Sequence, residues 1–98
     1  MFNNPRFATR GICCEVDSFT QLSLWGLIDS LQIPKDYLQI FRLSSVNING
    51  VMCQRITHEQ EQPAYRNEII IPYCDAVNLK IFCIDDGDHS TMLLASEY

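Results

Sequence analysis

Residues 18–32, SFTQLSLWGLIDSLQ, decide the fold. Phe19, Leu22, Leu24, Trp25, Leu27, Ile28 and Leu31 recur at steps of three and four, the spacing that lines one side of an α-helix. Gln21, Ser23, Gly26, Asp29 and Ser30 fill most of the other side. Ser18 with Gln21 three positions on fits a reciprocal N-terminal cap, and Pro34 disfavours helical backbone at Ile33, which ends the segment. No other stretch has this period. Its flanks read as strand, so the helix is expected to lie as a lid across a sheet.

Working outward, Arg6–Cys14 (RFATRGICC) carries Phe7, Thr9, Ile12 and Cys14 in strand-like company, with Gly11 at a bulge. Residues 1–5 are polar, closed by Pro5, and expected to be a loose lead-in. Downstream, YLQIFRLSSV (37–46) is apolar on both faces: Tyr37, Phe41 and Leu43 fall on one, Leu38 and Ile40 on the other. That suits a central strand covered on both sides. Asn49-Gly50 is a strong hairpin signal, because both residues tolerate positive φ, and Val51–His58 returns as the paired strand. HEQEQPA (58–64) reads as a loop and Arg66–Ile71 as a strand stopped by Pro72. Tyr73–Ala76 is a turn. From Val77 to Ile84 the alternation is regular, with Val77, Leu79, Ile81 and Cys83 on one face. Asp86-Gly87 turns the chain again, and Ser90–Tyr98 reads as a closing strand in preference to a helical turn. The expected architecture is α+β: a single helix on a mostly antiparallel, five- to six-stranded meander sheet, ordered β-α-β-β-β-β-β. It forms one domain over residues 1–98.

Composition narrows the function. Hydrophobic residues make up 47% of the chain and aromatics 10%, enough for a packed core and against disorder. Twelve acids against seven bases give a net charge of −5. With the bases scattered, the positive footprint of a nucleic-acid binder is missing, and the acidic surface reads as a solubility device. The N-terminal ten residues hold two arginines and no apolar core of a signal peptide, and no apolar run reaches the ~20 residues of a membrane span. Five cysteines (Cys13, Cys14, Cys53, Cys74, Cys83) form no C-x-x-C pair. They read as reduced, buried, inert thiols of a cytoplasmic protein.

In a meander, alternate turns lie at one end of the sheet. The 59–65 and 85–89 loops would then share an end with Pro34–Asp36. That end gathers His58, Glu59, Glu61, Arg66, Asp85, Asp86, Asp88 and His89. Two imidazoles with several carboxylates suit a divalent metal or a general acid–base pair. The competing explanation is that Asp and Gly build the turns, and neither histidine has metal-ligand spacing to a second ligand within one element. An EF-hand counted from Asp86 fails, since Thr91 stands where glycine is needed. No nucleophile elbow and no phosphate-cradling glycine loop is present. Cys53 and His58, five apart on a strand, point to opposite faces. Trp25 falls on the helix's apolar side and reads as core. Arg6, Arg10, Arg42, Arg55 and Arg66 lie in or beside strands and are expected to pair with acids across the sheet.

The segments RFATRGI, LWGLID, DYLQIF, HEQEQPAYRNE and IDDGDHSTMLLASEY resemble a small bacterial family known as a domain of unknown function, number nine hundred and sixty, from low-GC Gram-positive bacteria. The resemblance spans nearly the whole chain, with Cys13-Cys14 as a departure. It implies a cytoplasmic, stand-alone domain and carries over no catalytic residue or cofactor. The resulting expectation is a non-enzymatic binding or assembly module, a homodimer or a protein-binding domain, without nucleic acid, membrane, metal or cofactor. The rival is a metal-dependent or acid–base enzyme at the end carrying His58 and Asp85–His89.

Overall fold

The computed structural model describes residues 1–98. Its elements are β1 (Arg6–Ala8), α1 (Arg10–Glu15), α2 (Ser18–Asp29), β2 (Leu38–Ile48), β3 (Val51–Gln60), β4 (Tyr65–Pro72), β5 (Leu79–Asp85) and β6 (Ser90–Leu94), closed by a 3₁₀ turn at Ala95–Glu97. At the β2–β3 hairpin Asn49 and Gly50 take φ of 52° and 82°, the two left-handed conformations a type I′ turn requires. Asn47 Oδ1 accepts the Gly50 N–H at 2.9 Å. The six strands lie in the order β1-β6-β5-β2-β3-β4. All neighbours are antiparallel except β1, which runs parallel to β6. As its two-sided apolarity predicts, β2 is internal to the sheet, but only its Phe41–Leu43 face is covered by helices, and Leu38 and Ile40 stay partly exposed on the other.

The expected simple meander is corrected at one connection. β2-β3-β4 and β5-β6 fold back in sequence, but after β4 the chain returns to the other side of β2. There Leu79, Ile81 and Cys83 stand opposite Leu43, Phe41 and Gln39, under the helices. Beside β4 the same three residues would lie at the sheet's margin.

Two further expectations change at the N-terminus. Residues 10–15 are helix, so the sheet carries a short helix as well as the long one. Thr9 Oγ1 accepts the Ile12 N–H at 3.3 Å, capping α1. One turn apart, Ile12 and Val16 then enter the core at 0% and 3% exposure. Gly11 sits in that first turn and not at a bulge. Residues 1–5 are not loose either: Phe2 is 1% exposed, its ring 6.4 Å from that of Trp25.

The long helix starts on Asp17, whose carboxylate accepts the Thr20 N–H at 2.8 Å. Asp17 thus takes the capping role expected of Ser18, while the Gln21 side chain donates to the Val16 carbonyl at 2.9 Å. The helix ends at Asp29, with Ser30 as its C-cap. Leu24, Trp25 and Ile28 are buried, whereas Phe19 and Leu22 stay exposed. The buried helical side chains meet Phe41, Leu43, Ile56, Ile81, Cys83 and Met92. Strand register places those six on one face of the sheet. None of Phe7, Leu38, Ile40, Phe82, Ile84 or Leu93, which point the other way, belongs to that cluster. Both helices therefore cover the same face.

Ser90–Leu94 is strand, as expected, and the chain then turns. The Glu97 carboxylate accepts from Thr9 Oγ1 at 2.6 Å and from the amides of Leu94 and Gly11 at 2.8 and 3.3 Å. These bonds hold its pKa below the usual glutamate value, the Thr9 hydroxyl foremost. A Cβ on Gly11 would stand 2.6 Å from the Glu97 Cδ, so glycine here makes room for the C-terminal turn.

Candidate functional site

The strand directions bring the start of β2, the end of β3, the start of β4, the end of β5 and the start of β6 to one end of the sheet. The 61–64 and 86–89 turns therefore share a rim with residues 34–37. Asp36 ties it together: its Oδ2 accepts the Gln62 N–H at 3.0 Å and its own N–H donates to Gln60 Oε1 at 3.1 Å. The Asp85 N–H donates to the Tyr37 carbonyl at 2.9 Å.

The two histidines do not converge there. His58 is 2% exposed, stacked on Phe41 at 4.4 Å between ring centroids and edge-on to Tyr65 at 5.5 Å. Its Nε2 lies 2.6 Å from Gln39 Oε1. Because Gln39 Nε2 donates to the Asp36 carbonyl and to Gln60 Oε1, at 2.9 and 2.7 Å, the Gln39 oxygen is the acceptor and His58 Nε2 carries the proton. Burial lowers the His58 pKa to about 4. It is a neutral core histidine in a satisfied chain of amides. His89 is half-buried on the turn, 3.2 Å from Asp86 and edge-on to Phe7 at 5.6 Å.

The remaining rim residues separate by role. Glu61 and Asp88 are exposed on the two turns. Asp86 accepts the His89 N–H at 3.3 Å, the local bond expected of a turn aspartate. Glu59 and Arg66 lie on the helix-free face, where Arg42 Nε reaches Glu59 at 3.0 Å and Arg66 Nε stands 4.0 Å from it. No group of three or more His, Cys, Asp or Glu is arranged to hold a metal ion.

Asp85 is the anchor of this end. It accepts from the Phe2 amide at 2.6 Å, from Asn4 Nδ2 at 2.9 Å and from the Gly87 amide at 2.8 Å. These donors, led by the Phe2 amide, depress its pKa. The stability it supplies is present above the ordinary aspartate range and is lost as the pH falls through the depressed value. Asp85→Ala is expected to cost about 1–3 kcal/mol, because it strands a buried amide. It should also release residues 1–5. Urea unfolding and amide exchange at Phe2 read the two effects, and an unchanged Phe2 exchange rate would show that Asp85 does not hold the strap.

The cysteines divide unexpectedly. Cys53 and Cys83 are buried as predicted, and burial pushes the Cys83 thiol up. Cys13 and Cys14 are exposed because residues 10–15 form a helix that turns only Ile12 inward, and Cys74 is exposed on the turn after β4. Cys13 and Cys14 border a cleft of about 420 Å³ with Glu15, Asp17 and Asp75.

The feature that sequence reasoning saw only in outline is the unfinished sheet. One face lacks any helix, leaving Leu38, Ile40, Phe82, Ile84 and Leu93 partly exposed and Phe7 largely so. Tyr98 leans over it, edge-on to Phe82 at 5.5 Å. At one margin β1 is three residues long; at the other, β4 is eight residues long and pairs on one side only. The predicted arginine–acid pairing lies on this face, in Arg42–Glu59 and Arg55–Glu68.

The family model described as a Staphylococcal protein of unknown function (DUF960) matches residues 5–97. The chain belongs to that family. The chain is also similar to the crystal structure of a protein of unknown function from Enterococcus faecalis, 29% identical, with a TM-score of 0.77 over 97% of this chain and 91% of that one. Matching over nearly the full length of both, the two share this fold. No curated protein matches this DUF960 chain. No helix is long and apolar enough to cross a membrane.

Proposed function

We propose that this DUF960 protein is a non-enzymatic binding and assembly module that completes its sheet with a second copy of itself. The observation that carries this reading is that the chain finishes only one side of its own sheet. Helices cover one face, while the other face and the β4 margin are left without a neighbour. Unpaired strand edges and uncovered apolar sheet faces are sites of association unless they are short, covered or repelled, and β4 is neither short nor covered. The rim with both histidine-bearing segments supports no catalytic constellation that rivals this, because His58 is sealed inside and His89 is paired with a turn aspartate.

Size-exclusion chromatography with light scattering tests the reading. At micromolar concentration the protein should have twice its chain mass of 11.3 kDa, with a mass that falls on dilution. A constant mass of one chain across the concentration range removes the self-assembly reading.

A further inference from the structure

We infer that the second copy joins at β4, antiparallel to its counterpart, with the two-fold axis at Asn67 and Arg66 of each copy facing Glu68 of the other. This rests on the self-assembly reading above and adds the surface and the register.

The backbone decides which groups are free. The Tyr73 N–H donates to the Met52 carbonyl at 3.0 Å, and the register continues through Ile71↔Gln54, Ile69↔Ile56, Asn67↔His58 and Tyr65↔Gln60. In an antiparallel ladder hydrogen-bonded pairs alternate. The odd residues of β4 therefore point their N–H and C=O groups at β3, and those of Arg66, Glu68 and Ile70 point out from the sheet. Pro72 ends the usable edge, since it has no N–H to offer.

The side chains choose the register. Arg66 and Glu68 sit two apart, hence on the same face, and that is the helix-free one. Neither makes a hydrogen bond within the chain: Arg66 Nε is 4.0 Å from Glu59, whose carboxylate is engaged by Arg42 at 3.0 Å, and Glu68 is 3.7 Å from Arg55 Nε. An edge guarded by charge of one sign repels its own copy. This edge carries one charge of each sign at adjacent outward positions, so an antiparallel copy centred on Asn67 places each arginine opposite a glutamate, twice over. Centring on Glu68 would put like charges face to face. Centring on Ile69 would set Arg66 against the amide-free Pro72. In the favoured register Tyr65 faces Ile69 on the side of the helices, and exposed Asn67 meets its own copy. An isologous contact of this kind closes as a dimer, with one sheet running through both chains.

Light scattering on four samples of the full chain tests this: wild type, Arg66→Glu, Glu68→Arg, and an equimolar mixture of the two variants. The wild type should be a dimer. Each reversal places like charges opposite one another at two points and should weaken self-association by about tenfold or more. The mixture should restore the dimer, because the reversed residues complement each other. A wild-type monomer overturns both the assembly reading and this one. A wild-type dimer indifferent to either reversal, or a mixture that fails to re-associate, keeps the assembly reading and overturns the β4 interface. Should a reversal prevent folding, Asn67→Cys with Cys13, Cys14 and Cys74 changed to serine gives the decision. Facing residues of a non-hydrogen-bonded pair lie ~4.5 Å apart between Cα atoms, within disulfide range. That variant should cross-link on oxidation faster than an Asp88→Cys control in the same background, and equal rates overturn the register.

Discussion

Acidifying the protein from neutral pH to about 4 is expected to remove about 2–3 kcal/mol of stability through His58 alone. A histidine in the unfolded chain takes up its proton near its ordinary value of 6.5, whereas His58 in the fold resists until about 4. Between those values the unfolded state holds the extra proton, so stability rises with pH across the interval. The contribution is complete above 6.5 and gone below about 4, at about 1.4 kcal/mol for each unit separating the two values. Carboxylates add to the loss at the acid end, since Asp29, beside Arg6, and Asp85 both titrate below their usual range. The difference between wild type and His58→Gln isolates the histidine. Urea midpoints across the interval should slope for the wild type and flatten for the variant. Parallel profiles would mean that the ring titrates as freely in the fold as outside it.

Phe41→Ala should have the largest effect of any single change. Phe41 is 0% exposed, sits on the central strand opposite both Ile81 and His58, and stacks on the imidazole. Truncating a buried phenylalanine costs about 3–5 kcal/mol in lost burial and residual cavity, which in a domain of this size lowers the melting temperature by on the order of 20 °C. The change also removes the ring that shields His58, so the His58 pKa should rise toward its ordinary value and the acid sensitivity should shrink with it. Calorimetry reads the first effect and the pH series the second. A loss below about 1 kcal/mol would contradict the close packing of this centre.

The sequence disclosed the parts whose signal is local. Asn49-Gly50 required its turn, the Val77–Ile84 alternation placed Leu79, Ile81 and Cys83 inward, and the two-sided apolarity of 37–46 marked a central strand. What it hid depends on residues distant in the chain. Phe2 looked like a loose end because the acceptor of its amide, Asp85, lies far along the sequence. RFATRGICC looked extended because its strand formers outweigh one capping threonine, and the cap prevailed once Ile12 and Val16 could enter the core. Periodicity has no bearing on whether β5 joins β4 or β2. The rim was legible from strand direction alone, but not the fate of its members. His58 reads in sequence as the first residue of a polar loop, yet β3 runs on to Gln60 and alternation turns the ring inward. The opposite charges of Arg66 and Glu68 were visible throughout, and acquired meaning only when β4 proved to be the sheet's outer strand.

The parallel seating of β1 on β6, Arg6 beside Ser90, sets the order in which the protein can be made. The first strand and the helices after it emerge from the ribosome long before the strand they must lie against. With the Glu97 clasp on Thr9 and Gly11 formed last of all, Ile12 and Trp25 wait uncovered through most of synthesis. Contacts between such distant segments slow folding, so the β1 margin and the core beneath the helices can close only once residues 90–97 are available to them.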